Sequence, residues 1–172
     1  TLLGETARNL EPDVLEVYET KPIFEQAAQY PDLPKVGYVH MLQSQGLLHD
    51  TYYYGVDAKD FIPTFMYPTE IMDGAIVSGN CVAPCDKVTT YHHLHNPVID
   101  ECYKNHGKTI NFMGVILTNE NVFLADKLRC SDMVAKLAEW MGLDGVLITE
   151  EGYGNPDTDL MMNCHKVEQK GV

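Results

Sequence analysis

The second half of the chain alternates between short apolar runs and amphipathic segments, and this alternation constrains the fold more than any other feature. The run from Ile110 to Leu117 is almost continuously apolar, as expected of a strand that is covered on both faces. A helical stripe of apolar residues follows and ends at Gly142, and a second apolar run spans Gly145 to Thr149. Strand, helix, strand and a final helix predict an α/β fold with a parallel, doubly wound sheet of the Rossmann type and helices on both faces.

Capping and turn signals predict further elements. Pro22 suits the first turn of a short helix at residues 23–30, and the β-branched and aromatic residues 35–42 indicate a strand. Two Asn-Pro pairs, Asn96-Pro97 and Asn155-Pro156, are typical of a helix cap followed by the first helical residue. Together these signals predict a single α/β domain.

The boundaries of the chain suggest an interior piece of a longer protein. It starts at Thr1 rather than at a methionine, and it stops at Val172, directly after a Lys-Gly pair that is typical of a helix end. Residues 1–172 are therefore expected to be one α/β domain or a fragment of one, with flanking parts missing. Residues 43–74 carry several glycines and prolines without a clear period and are predicted to be irregular.

The charge balance restricts the class of partner. Twelve basic residues against 25 acidic ones give a net charge of −13, which argues against nucleic acid or an anionic membrane as a partner. No apolar run of about 18 residues and no secretory signal is present in the sequence. The odd number of cysteines, five, is typical of a reducing compartment, so a cytoplasmic protein is predicted.

Three stretches of sequence are much longer than ordinary motifs: MLQSQGLLHDTYYYGVDAK at 41–59, PTEIMDGAIVSGNCV at 68–82 and EEGYGNPDTDLMMNC at 150–164. They resemble the pyruvoyl-forming proprotein subunit of component B of the glycine/sarcosine/betaine reductases of amino-acid-fermenting anaerobes. The resemblance covers nearly the whole chain. It implies an oxidoreductase subunit that activates glycine, sarcosine or betaine for selenium-dependent reductive deamination with a disulfide as acceptor.

The same resemblance implies a processing site. In the family, an Asn-Cys bond within a Ser-Gly-Asn-Cys string is cut and the cysteine becomes a covalent pyruvoyl group. The matching residues are Ser78, Gly79, Asn80 and Cys81. The pyruvoyl cofactor derived from Cys81 would bind the substrate amine as a Schiff base.

The implied assembly contains further proteins. The chain has no selenocysteine, so a partner subunit must supply it. The expected partners are the selenoprotein subunit of component B and selenoprotein A, in an oligomeric complex without nucleic acid or membrane. An isolated fragment is expected to be inactive.

The residue types in the Ser-Gly-Asn-Cys string suit self-cleavage. The Cys81 thiolate can attack the carbonyl of Asn80, provided that the amide is distorted or its oxyanion is stabilised. Gly79 permits backbone geometries that other residues adopt only at a cost, and Asn80 can donate a hydrogen bond to the oxyanion. Ser78 can assist proton transfer. A second pair, Asn163-Cys164, is predicted to lie within a helix, where it is a poor cleavage site.

Cysteines and histidines crowd into fifteen residues after the cleavage site: Cys81, Cys85, His92, His93 and His95. Three interpretations remain open. His93 and His95 can serve the pyruvoyl site as acid or base. The five residues can instead bind zinc in a metal-binding or scaffolding α/β module, although their spacing is not a standard zinc signature. They can also be ordinary loop residues.

Three residues are candidates for substrate binding. Tyr54 ends an aromatic triplet that starts at Tyr52, and aromatic faces attract quaternary ammonium groups such as that of betaine. Glu120 and Glu151 each follow a predicted parallel strand, at the edge of the sheet where ligands bind in such folds. The alternative is that the tyrosines are half-buried strand residues and that the two acidic loops are simple connections.

Overall fold

The computed structural model describes residues 21–45, 50–79 and 87–172. Its strands are β1 (Lys35–Gln43), β2 (Thr51–Tyr53), β3 (Val56–Asp57), β4 (Thr64–Met66), β5 (Ile76–Ser78), β6 (Asn111–Glu120) and β7 (Gly145–Thr149). Its helices are α1 (Ile23–Gln29), α2 (Pro68–Met72), α3 (Thr90–Leu94), α4 (Pro97–Asn105), α5 (Leu124–Trp140) and α6 (Asn155–Gln169). Among these residues no helix is long and apolar enough to cross a membrane.

The main sheet has four strands in the order β4-β6-β1-β7. The central strand β1 pairs in parallel with β6 on one side and with β7 on the other. The fourth strand, β4, runs antiparallel to β6 at the outer edge. The α/β prediction is confirmed, and its parallel part consists of β6, β1 and β7. The antiparallel β4 makes the sheet mixed, which the sequence did not predict.

Two apolar layers cover the sheet. On one face, Tyr38 and Leu42 of β1 pack in a cluster with Ile99 of α4 and Ile76 of β5. On the other face, Val39 packs in a cluster with α5, α6 and α1. Successive strand residues point to opposite faces, and both faces are apolar, which explains the unbroken apolar runs in the sequence. Helices therefore lie on both faces of the sheet, as predicted.

The prediction of irregular structure at residues 43–74 was wrong. This segment contains β2, β3, β4 and α2, and β2 lies between β3 and β5 in a small antiparallel sheet. The strands are only two or three residues long, too short for a period to show. A tight turn at Tyr54 and Gly55, both with positive φ, joins β2 to β3.

A buried ion pair fixes α5 against α6. Lys127 and Asp159 form the pair, and their side chains are 4% and 3% exposed. The lysine also donates to the backbone carbonyl of Asn155, and Asp159 Oδ1 accepts from the backbone N–H of Asn121. The pair therefore anchors the amino end of α6 close to the carboxyl end of β6. A second pair between the same helices, Lys166 with Asp132, is far more exposed.

Removing one partner of the buried pair should destabilise the fold far more than removing one partner of the exposed pair. Lys127→Ala leaves the Asp159 carboxylate buried without its cation, which is expected to cost about 3–5 kcal/mol of unfolding free energy. Lys166→Ala, the matched control, is expected to cost about 0–1 kcal/mol. Chemical denaturation measures both, and equal losses would contradict the role assigned to the buried pair.

Candidate functional site

Acidic and amide side chains meet where the three parallel strands end. Gln43 and Glu120 face each other at the last position of the β1–β6 register, and Glu151 lies two residues beyond β7. The backbone N–H of Glu151 donates to Glu120 Oε1 at 2.8 Å, and that of Gln43 donates to Glu151 Oε2 at 3.1 Å. In α/β sheets this edge is the usual place for a ligand.

Several buried polar atoms of this cluster have no hydrogen-bond partner within the described ranges. They are Gln43 Oε1, Glu120 Oε2, Glu151 Oε1 and His93 Nε2. Each such atom raises the free energy of the folded protein unless it is satisfied, so unpaired buried atoms are rare. Two of the four, Glu151 Oε1 and His93 Nε2, lie 3.5 Å from each other. The other two, Gln43 Oε1 and Glu120 Oε2, indicate that another polar group, such as a ligand or an adjoining segment, belongs there.

Both carboxyl groups are held in their neutral form. Burial raises the pKa of Glu120 to about 9, and the neighbouring negative charge of Glu151 adds to the effect. Burial likewise raises the pKa of Glu151 to about 8, opposed by hydrogen bonds from backbone and by the positive charge of Lys87. At neutral pH the two side chains are therefore mainly carboxylic acids, which can donate a proton.

Two buried histidines stand beside the carboxyl groups. His93 of α3 places Nε2 3.5 Å from Glu151 Oε1 and Nδ1 3.1 Å from His40 Nε2. Burial, together with the positive charge of Lys87, lowers the pKa of His93 to about 4. Burial also lowers the pKa of His40, on β1, well below its ordinary value. Both rings are neutral at physiological pH and can each accept one proton.

The hydrogen bonds continue from His40 toward the edge of the sheet. His40 Nδ1 lies 2.8 Å from the hydroxyl of Tyr38, two residues earlier on the same face of β1. That hydroxyl lies 2.6 Å from Thr149 Oγ1, at the end of β7. Asn96, the cap of α4, also donates to the Tyr38 hydroxyl at 3.4 Å.

The residue that leads into the predicted cleavage bond is firmly held. Thr90 Oγ1 accepts from the backbone N–H of Ser78 and donates to its carbonyl, both at 2.9 Å. The side-chain hydroxyl of Ser78 lies 3.1 Å from Thr51 Oγ1. Ser78 is buried at the end of β5, so the backbone just before Gly79 has a fixed position.

Asp50 contacts the described residues on both sides of the segment 80–86. The backbone N–H of Gly79 donates to the Asp50 carbonyl at 3.2 Å, and the buried amino group of Lys87 pairs with the Asp50 carboxylate. A Cβ at Gly79 would overlap that carboxylate, so Asp50 would have to move to accommodate any other residue at this position. Lys87 in turn acts electrostatically on both His93 and Glu151. Asp50 therefore links Gly79 to Lys87, which acts on the buried cluster.

The structure places the predicted site residues differently. Asn80, Cys81 and Cys85 lie outside the described residues. Glu120 and Glu151 lie together, and their role toward substrate stays a prediction.

The structure separates the remaining site residues into those near the cluster and those apart from it. His93 belongs to the cluster. Ser78 bonds to Thr90 of α3, the helix that carries His93, and Gly79 bonds to Asp50. His95 is exposed, with its ring against that of Tyr91 at 4.5 Å, and is not part of the cluster. Tyr54 occupies a turn rather than an extended strand and donates to Glu70 at 2.8 Å. The catalytic and substrate roles predicted for His95 and Tyr54 remain untested.

The histidines of α3 point in different directions. His92 is exposed and lies 2.8 Å from Thr89 Oγ1, whereas His93 points into the interior. In the part of the chain that the structure describes, no group of three or more histidine, cysteine, aspartate or glutamate side chains is placed to hold a metal ion. The metal site predicted as an alternative also needs Cys81 and Cys85, which lie beyond that part.

Sequence reasoning missed His40, Tyr38, Asp50 and Lys87. One signal was available for His40, because a histidine inside the otherwise apolar run of β1 must be buried and therefore needs a partner. Nothing in the sequence indicates that this partner is His93, 53 residues away.

Comparisons with known proteins agree on one family. A family model described as glycine/sarcosine/betaine reductase component B subunits matches residues 1–172. The sarcosine reductase complex component B subunit alpha of Peptoclostridium acidaminophilum is 77% identical over 170 residues. The glycine reductase complex component B subunits alpha and beta of Acetoanaerobium sticklandii are 67% identical over 170 residues.

A more distant relative is the betaine reductase complex component B subunit alpha of Peptoclostridium acidaminophilum, which is 38% identical over 172 residues. These alignments cover 99% of this chain but only 39–40% of each relative, so the chain spans about two fifths of the length of the relatives it matches. No solved structure matches.

The buried carboxyl groups should make the protein less stable as the pH rises. When folding raises the pKa of an acid, the folded state binds the proton more tightly than the unfolded state. The resulting stabilisation is complete at pH values below the pKa of the unfolded state, and it is lost as the pH rises through the pKa of the folded state. For Glu120, with an ordinary pKa of 4.5 raised to about 9, the unfolding free energy should fall by about 1.4 kcal/mol per pH unit within that window.

Glu120→Gln removes this titration and keeps an acceptor for the Glu151 backbone, so its unfolding free energy should fall less steeply between about pH 6 and pH 8. Denaturant titrations over this range measure the difference. Glu101→Gln, on the exposed side of α4, removes a carboxylate outside the cluster and should behave as wild type. An unchanged slope for Glu120→Gln would show that Glu120 is already ionised.

Proposed function

The chain belongs to the glycine/sarcosine/betaine reductase component B subunits, and we propose that it is the part that forms and surrounds an amine-activating pyruvoyl group. In this proposal the Asn80–Cys81 bond is cut and Cys81 becomes the pyruvoyl group. The complete protein then acts as an oxidoreductase subunit in the reductive deamination of a small amino acid, with a selenoprotein partner.

One observation carries the proposal. Gly79 and Lys87, on either side of the segment 80–86, both contact Asp50, and Lys87 and Asp50 act electrostatically on Glu151 of the buried cluster. Such a cluster would be unnecessary beside an ordinary loop, because each buried titratable group costs folding free energy. Proton donors and acceptors next to a bond that must be cut are, by contrast, what self-processing requires.

The fixed backbone before the bond supports self-cleavage. Attack of a thiolate on the preceding carbonyl breaks the amide C–N bond and forms a thioester, and it is slow unless the carbonyl is held in position. Thr90 and Thr51 hold Ser78, and Asp50 holds Gly79. β-Elimination then releases the sulfur with Asn80 and leaves dehydroalanine, and water replaces its nitrogen to give the ketone and ammonia.

The neutral state of the cluster supports both cleavage and substrate binding. Elimination and hydrolysis each need a proton to be removed and another to be delivered. Because its pKa is near 8, Glu151 can deliver or remove a proton close to neutral pH, and the neutral ring of His93 beside it can accept one. The pyruvoyl ketone supplies an electrophile that condenses with an amine to a Schiff base, which protein side chains alone do not provide.

The names and similarities of the relatives support the substrate class and the cleavage. The relative named for sarcosine reductase is 77% identical, and that named for glycine reductase is 67% identical, against 38% for that named for betaine reductase. Glycine and sarcosine carry N–H bonds and can condense with a ketone, whereas betaine cannot. The glycine reductase relative is named for two subunits, alpha and beta, as expected of a precursor that is cut. We therefore favour a primary or secondary amine as substrate.

Substitution of Cys81 should abolish processing. In Cys81→Ala no thiolate is available to attack, so the full-length protein should stay in one piece, whereas wild type should give two fragments and a ketone that reacts with hydrazines. The chain contains its own matched control, because Asn163-Cys164 is the same dipeptide within α6. Cys164→Ala should be cut as wild type.

Denaturing electrophoresis and intact-mass spectrometry measure both outcomes. An intact wild-type chain whose Cys81 can be alkylated would contradict the proposal. Cleavage that depends on Cys164 rather than on Cys81 would contradict it as well.

Borohydride reduction should trap an amine on the residue derived from Cys81. Glycine or sarcosine, added to the processed protein before reduction, should each add its own mass there, because reduction makes the C–N bond stable. Betaine, with a quaternary nitrogen, should add nothing and serves as the control. If neither glycine nor sarcosine forms an adduct with protein whose ketone reacts with hydrazine, binding through the substrate nitrogen is contradicted.

A further inference from the structure

A line of polar side chains connects an accessible groove to the buried cluster. The groove has a volume of about 510 Å³ and lies between α4 and β7, where Pro97, Cys102 and Leu147 contribute to its apolar lining. Thr149 also lines the groove and is only partly buried. From Thr149 the line passes inward along one face of β1 until it reaches Glu151.

We propose that this line of side chains conducts protons between the groove and the carboxyl ends of the parallel strands. The path consists of Thr149, Tyr38, His40, His93 and Glu151. The distances between successive polar atoms are 2.6, 2.8, 3.1 and 3.5 Å. Every member can both accept and donate a hydrogen bond, which a proton path requires.

The close contact between the two rings restricts their protonation. His40 Nε2 and His93 Nδ1 are 3.1 Å apart, so one of these nitrogens must carry a proton and the other must not. Because each neutral imidazole carries a single N–H, both rings must be protonated on Nδ1 or both on Nε2. The path therefore has two arrangements with opposite hydrogen-bond direction.

The two arrangements differ by the transfer of one proton. With both rings protonated on Nδ1, Glu151 Oε1–H donates to His93, His93 to His40, His40 to Tyr38 and Tyr38 to Thr149. When every donor passes its proton to its acceptor, Thr149 releases its own hydroxyl proton into the groove. Glu151 is then a carboxylate and both rings are protonated on Nε2. One proton has left the interior, and the reverse sequence returns it.

The link between His93 and Glu151 is the longest. Its 3.5 Å exceeds an ordinary hydrogen bond, but neither His93 Nε2 nor Glu151 Oε1 makes a hydrogen bond of good geometry to another described residue. Both side chains are almost inaccessible to solvent, with exposures of 0% and 1%. A small shift of either side chain closes the link, although the backbone of Val88 also acts on both groups.

The existence of the path is independent of the function proposed above. Its use during cleavage or substrate binding rests on that function. A buried carboxyl that takes part in repeated proton transfers must exchange protons with solvent. The path supplies such a route between Glu151 and the groove, and all of its members are described residues. The charged groups that also act on the pKa of Glu151 are Lys87 and Asp50. Glu120 is the neighbouring titratable group, and the charge of Glu151 raises its pKa.

Nitrogen-15 NMR of labelled histidines tests the path directly. The experiment uses full-length Cys81→Ala protein, which carries no pyruvoyl group, and His40→Gln and His93→Gln identify the resonances. Both rings should show the same tautomer at each pH, and both should change from Nδ1–H to Nε2–H as Glu151 titrates.

Two variants separate a path from a static network. Glu151→Gln should abolish the pH-dependent change of tautomer, whereas Glu120→Gln, which alters the neighbouring carboxyl, should retain it. Different tautomers in the two rings, or tautomers that stay fixed while Glu151 titrates, would overturn the proposal whether or not the protein is cleaved.

A second measurement addresses the use of the path. Thr149→Val cuts it at its accessible end, and Tyr38→Phe cuts it one step further in while keeping the ring in the core. Each should slow cleavage or borohydride-trapped adduct formation at least about tenfold and should change the pH profile of the rate. Unchanged rates and profiles in protein that does process would overturn the proposal. Failure of wild type to process would count against the proposed function alone and would leave the NMR result to decide on the path.

Discussion

The candidate site depends on the parallel pairing of β1 with β6 and β7. Because the three strands run in the same direction, Gln43, Glu120 and Glu151 emerge at one edge of the sheet and bond to one another. The same register sets His40 opposite Thr149. An antiparallel arrangement would send these residues to opposite edges, so the chemistry follows from the strand direction.

Burial of this polar cluster is a cost that the rest of the fold must offset. The apolar layers on the two faces of the sheet and the ion pair between Lys127 and Asp159 supply stability away from the site. The cluster lowers its own cost by remaining uncharged, because the same burial that raises the pKa of Glu151 lowers that of His93. A fold optimised only for stability would place apolar residues at these positions, which is a physical reason to assign the cluster to function.

The sequence predicted the second half of the fold well because its elements carry clear local signals, namely continuous apolar runs for the strands, an apolar helical stripe and helix caps. Strands β6 and β7, the α5 stripe and the Asn96 cap, which accepts from two backbone N–H groups of α4, lie close to where they were expected. Strands of two or three residues, such as β2 and β3, leave no such pattern. Glu120 and Glu151 were recognisable because position after a parallel strand is a local property. The pairing of His40 with His93 depends on how α3 packs against β1, and no local pattern reports it.

The protonation states assign different roles to the carboxyl groups and the histidines. A group exchanges protons efficiently when its pKa lies close to the working pH, and Glu151, at about 8, is closer to this condition than His93, at about 4. The proton shared by the two therefore resides on Glu151 at rest, and a neutral ring beside it can receive the proton and pass it on. Histidines are usually the first choice as acid–base groups at neutral pH, because their ordinary pKa lies there. Burial reverses the usual order of the two pKa values, since that of Glu151 is now above that of His93. Glu151 therefore holds the proton, and the two histidines conduct it.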